Sequence, residues 1–391
     1  MKLLKRTWAD VSLDHLSHNY KVLRQHVSPN CRFLGVVKAD AYGHGAVPIS
    51  RHLEDLGAEF LAVSNLEEAI QLRRGGLRLP ILILGYTPPA YAEDMADMGI
   101  RQEVHSLAYA QALQDRLYGT GKQLLVHLKL DTGMSRLGFL CQQGENALDQ
   151  LLQVTELSCL QVEGMFTHFP ASDSPAPEDM EFTRQQYTLF TSYIASFEAM
   201  KKRPEICHCC NSGATILHPE FALDMVRPGI ATYGIAPSPS LAGMLDLKPV
   251  LTLNSTISQI QTYPAGVSVS YGRSYVTPCE KTLAVVPIGY ADGLPRRLSG
   301  QTEFLLHGVR VPVVGRICMD MCMVDVSNVP EAKVDDCIIV MGTGYDGARS
   351  ICGVAAQINN LPYEILCGIN KRIPRMYHQG DKLTEILQYI V

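Results

Sequence analysis

The sequence predicts an α/β protein in which an N-terminal (β/α)8 TIM-type barrel is followed by a mostly β C-terminal domain. Over the first part of the chain, eight short apolar runs alternate with segments of helical periodicity. The runs are apolar almost throughout, which is typical of parallel strands covered on both faces. Side chains capable of chemistry lie at or just past the C-terminal ends of these runs, where barrel enzymes carry their sites.

The barrel strands are predicted from short apolar runs, and the helices from apolar residues at helical spacing. The eight predicted strands cover residues 33–38, 59–64, 80–85, 102–105, 123–131, 160–168, 206–212 and 225–230. The predicted helices cover residues 14–27, 46–56, 67–74, 107–118, 147–156 and 182–200.

The pattern changes after the break at Pro237-Ser238-Pro239. Beyond it, short apolar runs are separated by turn residues without long helices, which favours a β domain. The predicted strands cover 251–257, 283–288, 302–306, 309–314, 321–326 and 336–341, and one short helix covers 351–358. We therefore predict domains at 1–240 and 241–391, with the first residues, up to about residue 10, packing with the C-terminal domain.

The composition favours a globular enzyme and argues against nucleic-acid-binding, membrane-spanning and secreted proteins. Apolar residues make up 47% and charged residues 19% of the 391 residues, as in ordinary globular enzymes. A net charge of −5 argues against a nucleic-acid partner. No apolar run has transmembrane length, and the N-terminus lacks the apolar segment of a signal peptide. The 12 cysteines do not form a short secreted framework, so we expect reduced thiols and a cytoplasmic location.

A cysteine-rich segment, Cys207-His208-Cys209-Cys210, invites a metal interpretation. No second cysteine pair at zinc-binding spacing accompanies it. Alternate residues of a strand also point to opposite faces. We therefore predict no metal site.

Lys38 is predicted at the end of the first barrel strand. A buried strand accommodates a long cation only if the cation has a partner or reaches solvent. One interpretation is a lysine that extends out of the strand end, and the other is a lysine that forms a Schiff base. Ser212-Gly213 and Gly229-Ile230 follow the seventh and eighth strands, where many barrels bind phosphate. Together these features suggest pyridoxal 5′-phosphate.

Several ordered motifs make the chain resemble the bacterial alanine racemase family over its whole length. The resemblance is carried by Val37–Gly45 (VKADAYGHG), Lys129–Gly138 (KLDTGMSRLG), Thr167-His168-Phe169, Asn211-Ser212, Arg227-Pro228-Gly229, Ser270-Tyr271-Gly272, Gly289–Gly293 (GYADG), Gly315–Asp320 (GRICMD) and Pro362-Tyr363-Glu364. The architecture that the family implies, a barrel followed by a β domain, agrees with the pattern of strands.

The resemblance implies a pyridoxal-phosphate-dependent isomerase with two bases. Lys38 would hold the cofactor as an internal aldimine and move a proton on one face of the substrate. Tyr271 of the other subunit would be the base on the opposite face, so that a homodimer shares its active sites. One base on each face allows a proton to leave one face and return to the other.

The resemblance also assigns neighbours to these two bases. Arg136 and His168 would tune Tyr271, and Arg136, Met319 and Tyr271 would contact the substrate. Lys129 matches a lysine that is carbamylated in many relatives, and an unmodified Lys129 in an ion pair is the alternative. The residues implied to bind the cofactor are Lys38, Tyr42, His168, Asn211, Ser212, Arg227, Gly229, Ile230 and Tyr363.

Arg227 bears most directly on the type of reaction. The resemblance places it against the pyridine nitrogen, where an arginine cannot act as an effective acid and therefore keeps the electron sink weak. Without the resemblance, a strand-end ion pair would be the simpler interpretation.

The implied function is interconversion of L- and D-alanine, which supplies D-alanine for peptidoglycan. The nearest alternative is a racemase of the same family that acts on serine or on a broad range of amino acids, and Tyr363 favours alanine. A decarboxylase is disfavoured by Arg227. A non-enzymatic cofactor carrier is disfavoured by the second domain and by Tyr271.

Overall fold

A computed structural model describes residues 6–142 and 147–390. The chain divides into two compact units. The barrel unit comprises Ser17–Ala41 and Ala46–Leu247, and the β unit comprises Met1–Leu16, Tyr42–Gly45 and Lys248–Val391. The predicted fold class is confirmed, since a nearly closed parallel barrel of eight strands is combined with a mostly β C-terminal part.

The barrel contains eight parallel strands, with one further short strand, β7, beside β6. Their order is β10-β2-β3-β4-β5-β6-β8-β9. Backbone bonds from Asp224 N to Cys207 O (3.0 Å) and from Arg227 N to Cys210 O (2.9 Å) bring β10 beside β9 and nearly close the ring. The strands are β2 (Arg32–Val36), β3 (Phe60–Val63), β4 (Ile81–Ile83), β5 (Ile100–Val104), β6 (Leu124–Asp131), β7 (Phe139–Leu140), β8 (Leu160–Phe166), β9 (Ile206–His208) and β10 (Met225–Val226), following β1 (Thr7–Ser12) of the β unit.

All six predicted helices of the barrel region form. Two short helices, α4 and α8, were not predicted, because each has only six residues. Helix α8 also explains why β9 ends before residue 212, since the Asn211 side chain accepts a bond from Ala214 N and caps the helix. The helices of this region are α1 (Leu13–Gln25), α2 (Ala46–Asp55), α3 (Leu66–Arg74), α4 (Ala92–Asp97), α5 (Leu107–Leu117), α6 (Leu148–Thr155), α7 (Pro177–Ala199) and α8 (Ser212–Leu217).

The position of Lys38 differs from the prediction. Strand β2 ends at Val36, and Lys38 opens a left-handed turn over Lys38–Tyr42 instead of ending the strand. Four successive residues have positive φ angles: Ala39 at 51°, Asp40 at 56°, Ala41 at 54° and Tyr42 at 52°. This conformation costs about 1–2 kcal/mol for each L-residue, so the surrounding structure must stabilise it.

The β unit is built on a sheet of ten strands in the order β12-β15-β18-β17-β16-β19-β11-β1-β20-β21. All six predicted strands form, and the predicted short helix is α9 (Ile351–Gln357); α10 (Pro362–Gly368) was missed. The first strand, β1, pairs antiparallel with β11 and parallel with β20. The strands are β11 (Leu251–Thr256), β12 (Gln259–Tyr263), β13 (Ser268–Val269), β14 (Tyr275–Val276), β15 (Lys281–Val286), β16 (Glu303–Leu306), β17 (Val309–Val314), β18 (Cys322–Asp325), β19 (Cys337–Met341), β20 (Arg375–Gln379) and β21 (Lys382–Leu387).

Among the described residues, no helix is both long and apolar enough to cross a membrane.

Candidate active site

The C-terminal ends of the barrel strands carry most of the predicted site residues. Lys38 follows β2, Lys129 lies near the end of β6, and Arg136 lies in the segment after β6. The others follow the last three barrel strands: His168 after β8, Asn211 and Ser212 after β9, and Arg227, Gly229 and Ile230 after β10. The carboxyl ends of parallel strands meet at one end of a barrel, which is the end that binds ligands.

Positive charge is concentrated around Lys129 and His168. Lys129 is buried, and its Nζ lies 4.5 Å from the centre of the Phe166 ring. Burial, followed by the charges of Arg227 and Arg136, lowers the pKa of Lys129 to about 7. Burial, followed by the charges of Lys129, Arg227, Arg136 and Lys38, lowers the pKa of His168 well below its usual value. His168 is therefore neutral at physiological pH, and a substantial fraction of Lys129 is uncharged.

Arg227 is buried and has neutral partners. Its Nη1 donates to His208 Nδ1 at 2.7 Å, and its Nη2 donates to Thr167 O at 2.8 Å and to Cys209 O at 3.0 Å. The guanidinium carbon lies 5.4 Å from the centre of the Phe166 ring. Burial lowers the pKa of Arg227 to about 10, so it stays charged at neutral pH. The hydrogen bonds fix the plane of the guanidinium and do not neutralise it.

The loops after β9 and β10 are joined by the Ser212 side chain. Its Oγ accepts bonds from Gly229 N at 2.8 Å and Ala231 N at 3.3 Å. Because Gly229 N and Ala231 N both donate to this oxygen, the Ser212 hydroxyl hydrogen points away from them and can donate to a third group. Gly213 leaves no room for a side chain, because a Cβ there would lie 2.9 Å from Asp173 N.

Asn211 supports the same pair of loops. Its Oδ1 accepts from Ser172 Oγ at 2.8 Å and its Nδ2 donates to Phe169 O at 3.0 Å. The loop after β8 is thereby tied to the start of α8.

In the β unit, Tyr42 lies beside Tyr363, with ring centres 6.0 Å apart and planes at 55°. The Tyr42–Gly45 segment is held by hydrogen bonds from two buried side chains. Arg375 Nε donates to Gly43 O at 2.9 Å, and Tyr377 OH donates to His44 O at 2.7 Å. The structure thus supports the turn at its C-terminal end.

Tyr271 begins a single helical turn, Tyr271–Arg273, and is 69% exposed. Ser270 before it has a φ of 68°, and its Oγ donates to Arg316 O at 2.7 Å. Met319 is 53% exposed, and its carbonyl accepts from Ala291 N at 3.0 Å. Tyr271 and Met319 are therefore presented on the surface of the β unit.

The cysteine-rich segment has packing contacts of its own. Cys207, Cys209 and Cys210 are buried, and His208 bonds to Arg227. In the part of the chain that the structure describes, no three His, Cys, Asp or Glu side chains are grouped to hold a metal ion.

Sequence reasoning missed the polar residues beneath Arg227. His127 and Glu163 are connected to it through His208. The available signal was a histidine inside an apolar strand, Leu124–Asp131 (LLVHLKLD), since such a residue requires a partner.

Comparison with known proteins gives matches across both parts of the chain. Residues 11–237 match the family described as "Alanine racemase, N-terminal domain", and residues 250–377 match "Alanine racemase, C-terminal domain". An alanine racemase of Desulfovibrio desulfuricans is 44% identical over 370 residues, covering 95% of this chain and 97% of the relative.

Solved structures of alanine racemases also resemble this chain over its whole length. Alanine racemase of Clostridium difficile 630 superposes with a TM-score of 0.94 at 36% identity, covering 100% of both chains. Its complex with cycloserine has a TM-score of 0.92 at 35% identity and the same coverage. Alanine racemase of Bacillus anthracis with bound L-Ala-P has a TM-score of 0.92 at 31% identity, covering 100% of this chain and 99% of the other.

The barrel, the basic side chains near His168 and these likenesses define an isomerase of the amino-acid racemase class. The chain belongs to the alanine racemase family.

Proposed function

We propose that this protein interconverts L- and D-alanine with pyridoxal 5′-phosphate as cofactor. The observation that carries the proposal is the buried Arg227, held by neutral partners at the end of the barrel, in a chain that matches both alanine racemase domains. The relative from B. anthracis, solved with L-Ala-P, supports alanine as the substrate.

The residues present fit the cofactor. A phosphate group requires hydrogen-bond donors, and at the linked loops the Ser212 hydroxyl, whose oxygen accepts from Gly229 N, keeps its own hydrogen to donate. A buried, charged guanidinium suits a ring nitrogen that accepts a hydrogen bond. We assign Lys38, Tyr42, His168, Asn211, Ser212, Arg227, Gly229, Ile230 and Tyr363 to the cofactor.

Bound pyridoxal phosphate supplies an electron sink that acidifies the hydrogen on the substrate Cα. The Lys38 Nζ would remove or return that proton on one face, and the Tyr271 phenolic oxygen would do so on the other. Arg227 would limit the strength of the sink because a guanidinium is a poor proton donor. Return of the proton is then favoured over loss of the carboxylate.

Substrate binding would use Arg136 for the carboxylate, together with the Met319 backbone N–H. A pKa of about 7 leaves the Lys129 amine partly uncharged at neutral pH, so it can attack carbon dioxide. The uncharged amine would form a carbon–nitrogen bond to carbon dioxide and lose one proton, and the product is a carbamate anion able to orient Arg136. An unmodified Lys129 is the alternative.

The proposal includes a homodimer located in the cytoplasm, with a role in peptidoglycan precursor supply. The dimer is supported by the exposure of Tyr271. A catalytic base that faces solvent exchanges protons with water, so another surface must cover it before it can transfer a proton selectively to the substrate. We assign that covering surface to a second copy, so that each Tyr271 serves the barrel of its partner.

The test is a coupled assay for D-amino-acid formation from a panel of L-amino acids. The purified protein should convert alanine fastest, while its Lys38→Ala variant should be inactive. Faster turnover of serine or of larger amino acids would favour the broad-specificity alternative. Absence of turnover on both alanine and serine, with cofactor bound, would contradict the racemase proposal.

A further inference from the structure

A row of five polar side chains runs through the barrel unit beneath its C-terminal end. Arg227 Nη1 bonds to His208 Nδ1 at 2.7 Å, and His208 Nε2 bonds to His127 Nδ1 at 2.9 Å. His127 Nε2 bonds to Glu163 Oε2 at 3.1 Å, and Glu163 receives two bonds of 3.1 Å from Arg101. Both histidines are fully buried.

The two ends of this row fix the direction of every hydrogen bond in it. A guanidinium only donates, so His208 Nδ1 must accept from Arg227. A carboxylate only accepts, so His127 Nε2 must carry a proton. His208 Nε2–H then donates to His127 Nδ1, which is the only arrangement that leaves both rings neutral and every bond made.

Charging either histidine would break the row. If His127 donated from both nitrogens, His208 would have to accept at Nε2 and present Nδ1–H to the Arg227 N–H group. Burial first, and the neighbouring charge of Arg227 next, lower the pKa of His208 well below its usual value. Burial also lowers the pKa of His127, against the opposing effect of Glu163.

The backbone is shaped to bring Glu163 into the row. Val126 pairs with Val162 and His127 pairs with Gly164, so Glu163 is the extra residue of a bulge in β8. Bulges redirect side chains. Gly164 is required beside it, because a Cβ there would lie 2.3 Å from His127 Nδ1. Phe166 stacks on His208 with ring centres 4.9 Å apart.

The carboxylate end is itself stabilised. Burial opposes the charge of Glu163, but hydrogen bonds from His127 and Arg101 hold its pKa at about 2. Glu163 is therefore an ionised acceptor at neutral pH.

We propose that Glu163 is a positioning residue for Arg227: through one fixed tautomer of His127 and of His208, it holds the guanidinium in a single orientation. Only the last step, that Arg227 then contacts the cofactor ring, rests on the proposed function. The active-site arginine thus depends on a carboxylate that it does not touch.

The first test determines the tautomers of His127 and His208 directly in the intact protein. Nitrogen-15 NMR of labelled histidine should show His127 and His208 neutral and protonated at Nε2 from about pH 5 to about pH 9. In Glu163→Leu, nothing accepts the His127 Nε2–H, so the reversed tautomers should become populated at both rings. In Glu163→Gln, the amide oxygen still accepts, and the wild-type tautomers should persist.

Glu59→Leu is the matched control. Glu59 also pairs with an arginine in the barrel unit, Arg24, and accepts from Phe33 N at 2.8 Å, but none of the histidines that the structure describes bonds to it. Its loss should leave the signals of both rings unchanged. A proton on Nδ1 of His208 in the wild type, or wild-type signals in Glu163→Leu, would overturn the proposal.

A second measurement connects the row to the cofactor. The dissociation constant of pyridoxal phosphate should rise on the order of tenfold in Glu163→Leu and much less in Glu163→Gln. Equal affinity in the wild type and in Glu163→Leu would overturn the positioning role. The NMR result decides the tautomers whether or not the chain racemises alanine, so failure of the proposed function is recognised separately.

Discussion

Arg375 donates a hydrogen bond to the carbonyl of Gly43, 332 residues earlier in the chain, at 2.9 Å. The same fully buried guanidinium donates to the carbonyls of Ile369 and Asn370, both at 2.8 Å, and to that of Ile373. All of these acceptors are backbone carbonyls. The buried Arg375 therefore connects two separate backbone segments, an arrangement we call the Arg375 clamp. One of these segments contains Gly43 and lies directly after the left-handed turn.

Replacing Arg375 with methionine should destabilise the protein by about 3 kcal/mol or more, because several buried carbonyls lose their donor. Urea denaturation gives the free energy of unfolding. Arg310→Met is the control, since Arg310 is half exposed and its loss should change that energy by less than about 0.5 kcal/mol. If Arg375→Met lowered the free energy of unfolding by no more than Arg310→Met, the hydrogen bonds of Arg375 would contribute nothing to stability.

Gly43→Ala should be far more damaging than Gly76→Ala. Both glycines have positive φ angles, 78° and 86°. A Cβ on Gly43 would lie 2.2 Å from Leu366 O, whereas one on Gly76 would have nothing within 4 Å. Gly76→Ala should cost about 1 kcal/mol from its backbone conformation alone. Gly43→Ala adds the clash, so similar melting temperatures for the two variants would contradict the packing described around the turn.

Lys129 should make stability rise with pH. Its pKa is about 7 in the folded protein against 10.5 without the shift, so between these values the unfolded chain binds the extra proton. The free energy of unfolding must then increase from about pH 7 to about pH 10. Lys129→Met should remove this rise and should be more stable below pH 7, on the order of 3 kcal/mol.

Urea denaturation at several pH values, in buffer depleted of carbon dioxide, measures this dependence. Lys122→Met is the control because Lys122 lies at the surface, where it pairs with Glu93 and Asp97. It should keep the wild-type slope. If Lys129→Met also kept that slope, the lysine would be charged in the folded protein.

Tyr271→Ala tests the assignment of two bases. Removal of one base should slow proton exchange from one enantiomer of alanine by about a hundredfold or more, and from the other far less. Deuterium uptake from heavy water, measured separately with L- and D-alanine, gives both rates. Tyr345→Ala, at a 77% exposed position of the same unit, should change neither. Equal losses for the two enantiomers would argue against a base on each face.

The barrel could be read from the sequence because its strands are apolar on both faces. The eight predicted strands all form, although β9 and β10 are much shorter than expected. For β9 the reason is that Asn211 caps α8 and ends the extended segment early. In the β unit, β12 (QIQTY) and β21 (KLTEIL) were missed because most of their residues are exposed and because polar and apolar residues are mixed along them. A strand with a solvated face lacks the continuous apolar run on which the prediction relied.

The geometry of the candidate site was predicted in part. The sequence predicts candidate residues at the strand ends, where the structure places them, but it does not predict the left-handed turn after Lys38, because four non-glycine residues with positive φ contradict local preferences. What supports such a turn, including Arg375, lies far away in the chain. The same holds for the row beneath Arg227, where His127 and His208 are 81 residues apart. Distant partners leave no local pattern.

The pairing of β1 with β11 and β20 bears on the order in which the protein is made. Ser12 lies opposite His378, so β1 can pair with β20 only after His378 has been synthesised. At about 5–20 residues per second, that interval lasts roughly 20 to 70 s. Until then the edge of β1 that pairs with β20 has no partner strand, and Thr7, Asp10 and Ser12 give β1 a polar character that discourages pairing with other nascent chains.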